Sequence, residues 1–432
     1  MFSSDEENGL SCIIHTAKYV LKVNADISKR ISMRVLKLAQ RIILMKKARI
    51  GFIGAGRFIS ANHLLTARHS KIMEIAAIAD LDQTLLDKHA AAMPVGYTTT
   101  DYHRLLQDPE IDIIVIGTKQ DLHAKMIVEA LDAGKWVFCE KPMAETEEET
   151  KAVLAAEKRN PGRLAIGFNR RFAPAYLKAR ELMAKVPRPW FVNYRLMSPS
   201  PDKARPGNFY SRLPRILYEG CHVLDYVSFL LNAKPQTLYM TGDEFNNNAC
   251  VLSYADGSQV SFLCGSLGSF VCGKEYMEVF GQNVAITVSD FTDMRVRGIP
   301  GEFDRLYAPH MNEHADDVMR WGYDFYEVYK SVEMQQYAKF YKETYNMDLE
   351  LVRRPYATAP NPDEIHFSQQ NPELWSFQPD KGWIGSFEHF AQAFLDGTEP
   401  LNADGAAGKL ATDMALALIE SLHTGRPAPL AE

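Results

Sequence analysis

At 432 residues, with 46% apolar and 24% charged residues, the chain has the makeup of a globular protein with room for two cores. Its formal charge of −6 argues against a nucleic-acid or anionic-membrane partner, since both need a basic face. The cysteines (Cys12, Cys139, Cys221, Cys250, Cys264, Cys272) form no C-x-x-C pair and no metal spacing, which is the usage of reduced thiols in a cytoplasmic protein. The longest uncharged run, 257–273, is too short and too rich in Gly and Ser to span a bilayer.

Residues 1–44 stand apart from the rest of the chain. Asp5, Glu6 and Glu7 give the start the wrong charge for a signal peptide. From Ile13 to Leu44, apolar and basic residues alternate at roughly helical spacing. That pattern suits a surface helix or frayed tail, and also a helix that lies on a membrane or a partner. Met45 stands just before the first strand and would make a natural start, which leaves 1–44 as an extension.

From residue 45 to 166, strands and helices alternate. Arg49-Ile50-Gly51-Phe52-Ile53-Gly54-Ala55-Gly56-Arg57 reads as a strand and a tight turn, and Phe58 to Ser70 as the helix after it. Gly54 permits the turn, Gly56 admits a pyrophosphate, and the helix N-terminus offers free N–H groups to its charge. The third small position of the glycine pattern is Ile59, which predicts looser packing of helix on strand. Asp80 follows the second apolar run, where a carboxylate meets a ribose hydroxyl. Further strands are predicted at 111–117, 136–139 and 163–167. Helices are predicted at 121–133 and 147–158, the latter with Thr146 and Glu149 spaced as a capping box. The alternation implies a parallel sheet with helices on both faces, an N-terminal dinucleotide-binding fold of Rossmann type.

From 167 to 432 the pattern changes to an α+β domain with an open, mainly antiparallel sheet. Its strands are predicted at 190–197, 235–241, 249–254, 259–266, 275–280 and 284–288, with a helix at 220–231 and a hairpin at Asp256-Gly257. Residues 302–375 read as a helical insertion forming a wall or lid over the substrate cleft or an extra subunit contact, and helices at 386–395 and 406–422 close the chain. His310-Met311-Asn312-Glu313-His314 matches a zinc-protease spacing. No cysteine cluster supports it, it reads as polar helix surface, and no metal is expected.

Two stretches carry candidate chemistry. Gly117 to His123 and Glu140-Lys141-Pro142 lie at the carboxyl ends of parallel strands, where open α/β sheets bind ligand. An ammonium at Lys141 would stabilise negative charge on a reacting oxygen. Tyr218, Glu219 and His222 fall on one face of a regular helix. His222 is the candidate proton acceptor, with Glu219 and Asp225 placed to orient it. Tyr218 either bonds substrate or packs, and Glu219 either orients His222 or caps the helix.

The Gly54-Ala55-Gly56-Arg57 turn with His63, the 117–123 segment, Glu140-Lys141-Pro142, the Gly220-x-His222-x-x-Asp225 helix and the closing segment 387–430 resemble the Gfo/Idh/MocA oxidoreductase family. The resemblance implies NAD(P) chemistry on sugars, inositols or their derivatives, nucleotide sugars among them, with Lys141 and His222 as the catalytic pair and Glu219 and Tyr218 beside them. It implies cofactor contacts from Gly54, Ala55, Gly56, Arg57, Phe58 and Asp80, and from Thr118, Lys119, His123, Glu140 and Lys141 across the sheet. Arg170, Tyr194, Arg215 and Asp225 are the candidate substrate contacts. The resemblance also implies a Lys-Pro peptide that is often cis, and a homodimer or homotetramer joined through the C-terminal sheet. Asp80 and Asp82 stand where a 2′-phosphate would lie, so NAD is expected over NADP. Many inositol-type members have Asp where this chain has Tyr218, and Lys119 replaces the usual Pro or Arg. Alternatives on the same fold are an NAD-dependent glycosidase and a dinucleotide-sensing regulatory protein.

Overall fold

A computed structural model describes residues 47–197, 213–267, 274–291, 293–307 and 380–430. The chain divides into two compact units, Met1–Ala48 and Arg49–Glu432. The predicted leader helix, most of the predicted 302–375 insertion and the His310–His314 motif lie outside the described residues.

The second unit begins as alternating strand and helix. β1 (Ala48–Ile53) leads into α1, a helix that opens at Arg57–Ile59, widens to a π-turn at Ser60–Leu64 and closes at Leu65–His69. Next come β2 (Met73–Ala79), α2 (Gln83–Ala92), β3 (Tyr97–Thr99), α3 (His103–Gln107), β4 (Ile113–Ile116), α4 (His123–Asp132), β5 (Trp136–Cys139), α5 (Glu147–Arg159) and β6 (Leu164–Ile166). The strands stand in the order β3-β2-β1-β4-β5-β6. The recorded pairs of this sheet are all parallel. The order reverses between β1 and β4, the switch point at which such sheets hold ligands. β4 is buried along its whole length, as expected for a strand covered on both faces. The predicted capping box starts α5: the Thr146 hydroxyl accepts from the Glu149 amide, and the Glu149 carboxylate accepts from that of Thr146.

Beyond α6 (Pro174–Met183), the chain builds a nine-stranded sheet from β7 (Phe191–Met197), β8 (Thr237–Gly242), β9 (Asn248–Ser253), β10 (Gln259–Gly265), β11 (Glu275–Gly281), β12 (Val284–Ser289), β13 (Asp293–Arg297), β14 (Arg305–Leu306) and β15 (Ala428–Pro429). One pair departs from the antiparallel pattern. β7 runs parallel to β10, with Tyr194 beside Phe262. α7 (Cys221–Leu231), entered through a π-turn at Ile216–Gly220, packs on the inner face with α6 and with α9 (Gly405–Thr424).

The last helices tie the two layers together. α8 (Trp383–Asp396) returns to the parallel sheet, where Phe387 meets Phe52 and Phe138, and Phe390 meets Trp136. α9 puts Ala411 into the core of the parallel sheet, and Met414, Ala415 and Leu418 into that of the second sheet.

Candidate active site

The glycine turn is built for close approach. Gly54 sits at φ +89°, and a Cβ there would stand 2.6 Å from the Gly117 carbonyl at the end of β4. Around Gly56 nothing lies within 4 Å of where a Cβ would be, so the backbone face is open. The looser packing expected from Ile59 is not found. A Cβ on Gly117 would fall 2.1 Å from Ile59 Cδ1, so the small residue has moved to the facing strand and the contact stays close. Asp80 reaches this turn. Its carboxylate accepts from the Ala55 amide at 2.7 Å and from the Asp82 amide at 3.0 Å. Phe58 is partly exposed, its ring edge-on to His63 and Trp383.

The second wall follows β4 and β5. Lys119 is exposed, and the Thr118 hydroxyl donates to the Lys119 carbonyl at 3.3 Å. His123 is buried between the carbonyls of Pro142, at 2.8 Å, and Thr118, at 3.3 Å. Burial holds its pKa below the ordinary histidine value, and as a neutral ring it can donate to only one of the two carbonyls, that of Pro142 being the nearer. Glu140 is buried too, 2.6 Å from His63 Nε2, and its other oxygen accepts from the Lys141 amide. Both residues, expected to contact the cofactor, hold the Lys141 loop in this structure. The Lys141–Pro142 peptide is cis.

Lys141 Nζ donates to the Tyr218 carbonyl at 2.8 Å and stands 3.9 Å from Glu219 Oε2. Glu219 also pairs with Lys274. Burial opposes its charge, but Lys274, Lys141 and Arg170 outweigh that, and its pKa falls well below the usual carboxylate range. His222 is 5% exposed, its ring edge-on to Phe168, and its Nδ1 has no protein partner among the described residues. Desolvation, followed by Arg170, Lys141, Lys274 and Lys381, holds its pKa well below the ordinary value.

Among the described residues neither of the carboxylates expected to orient His222 is paired with it. Glu219 faces lysines, and Asp225 takes a two-pronged ion pair from Arg171 at 2.6–3.1 Å. For Glu219 the reason is the π-turn. A Cβ on Gly220 would lie 2.7 Å from Ile216 Cδ1, and across this wider turn the three- and four-residue spacing no longer defines one face.

The substrate candidates are engaged internally. Arg170 Nε donates to Glu275 Oε2 at 3.0 Å, and Tyr194, bonded to the Tyr176 hydroxyl at 2.7 Å, also reaches Glu275. The Arg215 guanidinium lies 5.6 Å from the centre of the Tyr218 ring. The sequence reading missed Lys274, Glu275, Asp290 and Lys381, which the structure gathers around this site. Lys274 and Lys381 lie just before β11 and α8, and no local spacing singles them out.

The open face at Gly56, the strand-end cradle and the acidic Asp80 have the shape and charge that a dinucleotide needs. Among the described residues no group of side chains fits a metal, and no helix is long and apolar enough to cross a membrane.

The comparisons agree with this geometry. The family model described as "Oxidoreductase family, NAD-binding Rossmann fold" matches residues 48–168. The uncharacterised oxidoreductase YrbE of Bacillus subtilis (strain 168) is 32% identical over 301 residues, covering 65% of this chain and 86% of its own length. The inositol 2-dehydrogenase of Salmonella typhimurium is 30% identical over 198 residues, 44% of this chain and 56% of its own. The crystal structure of myo-inositol 2-dehydrogenase from Lactobacillus plantarum superposes with a TM-score of 0.65 at 17% identity, covering 89% of this chain and all of that one, which is a likeness of fold. With its parallel sheet, its second mainly antiparallel sheet and this extent of similarity, the chain belongs to the Gfo/Idh/MocA oxidoreductases, NAD-binding dehydrogenases that act on CH–OH groups.

Proposed function

We propose that the protein moves hydride between nicotinamide and a secondary alcohol of a sugar- or inositol-like polyol, with NAD preferred over NADP. The observation that carries this reading is that Lys141, held by the Tyr218 carbonyl, lies close enough to His222 to act on its charge, while the buried Nδ1 of the histidine has no partner among the described residues. The names of inositol 2-dehydrogenase relatives support the polyol class. Bound NAD supplies the hydride acceptor. Lys141 donates to the reacting oxygen and stabilises charge developing there. His222, neutral at physiological pH, takes the hydroxyl proton on a ring nitrogen. Asp80 is fixed by two amides and cannot swing away from a 2′-phosphate, which supports NAD.

The test is NADH formation from a panel of inositols and sugars, with Lys141→Ala and His222→Ala. Each should lower kcat by roughly a hundredfold or more while NAD binding persists. Full turnover in His222→Ala would overturn the mechanism, and tighter binding of NADP than of NAD would overturn the cofactor preference.

A further inference from the structure

We propose that the cleft at His222 recognises an oxyanion on the substrate, a carboxylate or a phosphate, through Lys381 with Lys274 beside it. This rests on the reading of the cleft as the substrate site. Four cations act on His222: Arg170, Lys141, Lys274 and Lys381. Among the described residues their ion pairs use two carboxylates, Glu275 and Glu219. Arg170 is consumed by Glu275, and Lys141 and Lys274 share Glu219. Lys381 senses Glu275 and Asp290, but among the described residues it forms no ion pair with either. Its Nζ stands 5.6 Å from the centre of the Phe291 ring and 5.9 Å from that of Trp383. Burial raises the pKa of Asp290.

A lysine only 8% exposed and, among the described residues, without an ion pair is costly to keep. Neutral hydroxyls need dipoles, and a surplus of full positive charge is matched by a full negative one. The position is also built. The Lys381 carbonyl accepts from Asn169 Nδ2 at 2.7 Å, beside Arg170. Gly382 follows at φ +84°, where a Cβ would strike the Asn169 carbonyl at 2.3 Å, and its amide donates to Asp380 at 2.8 Å. These contacts lock the backbone that carries the ammonium. His222 adds an independent sign of a missing ligand, its buried Nδ1 lacking a partner among the described residues. Burial, then Lys274, lowers the lysine's pKa to about 8, so it remains mainly charged at neutral pH.

Calorimetric titration of the NAD-loaded protein with D-glucuronate, D-glucose 6-phosphate, D-glucose and myo-inositol tests this. At least one anion should bind tenfold or more tighter than D-glucose, and the two anions tell carboxylate from phosphate. The preference should fall by about tenfold in Lys381→Met, return in part in Lys381→Arg, and fall also in Lys274→Met, which gives a second readout should Lys381→Met not fold. Equal affinities, no anion binding, or a preference that survives both Met variants would overturn the proposal. NADH formation from myo-inositol without any anion preference would sink it while leaving the polyol reading intact. An anion preference in a protein that forms no NADH would support it while sinking that reading.

Discussion

Burial and cations, with no carboxylate partner among the described residues, set the protonation of His222. Because its pKa lies well below 6.5, the acid limb of the kcat profile should fall below that pH. Glu219 acts on it only by offsetting Lys274 and Lys141, so Glu219→Gln should leave those charges uncompensated and move the limb lower still. An unchanged profile would assign Glu219 to fixing the lysines alone. Lys381 gives a stability prediction of definite sign. Its folded pKa is about 8 against an ordinary 10.5, so between these values the unfolded chain binds more protons, and stability rises with pH through that window. Below it the full cost of the buried charge remains. Lys381→Met should therefore raise Tm at pH 7, by a margin that shrinks as pH passes 8, and a fall in Tm at pH 7 would contradict this.

The glycine turn works as one element with the end of β4. Ile59 occupies the space that a side chain at Gly117 would need. Gly117→Ala should cost about 1–3 kcal/mol by overpacking. In an Ile59→Ala background the same change should cost clearly less, because the methyl then fills the vacated volume. Strict additivity in urea unfolding would refute the contact. α8 is the second such element. Phe387 packs against Phe52, Phe138 and His63, at centroid distances of 6.3, 5.2 and 5.4 Å. Phe387→Ala should cost about 3–5 kcal/mol, read in the same unfolding experiment.

At the scale of the whole molecule, the nine-stranded sheet leaves one face open. Phe191, Val251, Leu263 and Phe280 are exposed there, on strands whose alternate residues are buried against α6, α7 and α9. An apolar face of this kind suits docking, and a second copy of the chain is the occupant that the resemblance implies. Leu263→Lys with Phe280→Lys should shift the mass measured by light scattering to that of a single chain. A mass unchanged by the pair would place any assembly elsewhere.

Much of this architecture was written locally. Alternation of apolar runs with helical spacing predicted the parallel sheet, Thr146 and Glu149 predicted the start of α5, and Asp256-Gly257 predicted a turn that the structure makes with Gly257 at φ +83°. The approach of Asp80 to the glycine turn was legible as well, because both lie in one strand–helix–strand unit. What periodicity cannot report is which distant charges meet. The pairing of Glu219 with Lys274, the capture of Arg170 by Glu275 and the placing of Lys381 beside them join residues up to 212 positions apart, through backbone anchors such as that of Asn169 on Lys381. Nor could regular spacing foresee the π-turn at Ile216–Gly220, which breaks the 3.6-residue repeat that would have set Glu219 beside His222. Local sequence determined the elements and the cofactor cradle. Tertiary packing alone decided which charges surround His222, because their energies depend on burial and on distances that exist only after the two sheets, α8 and α9 have come together.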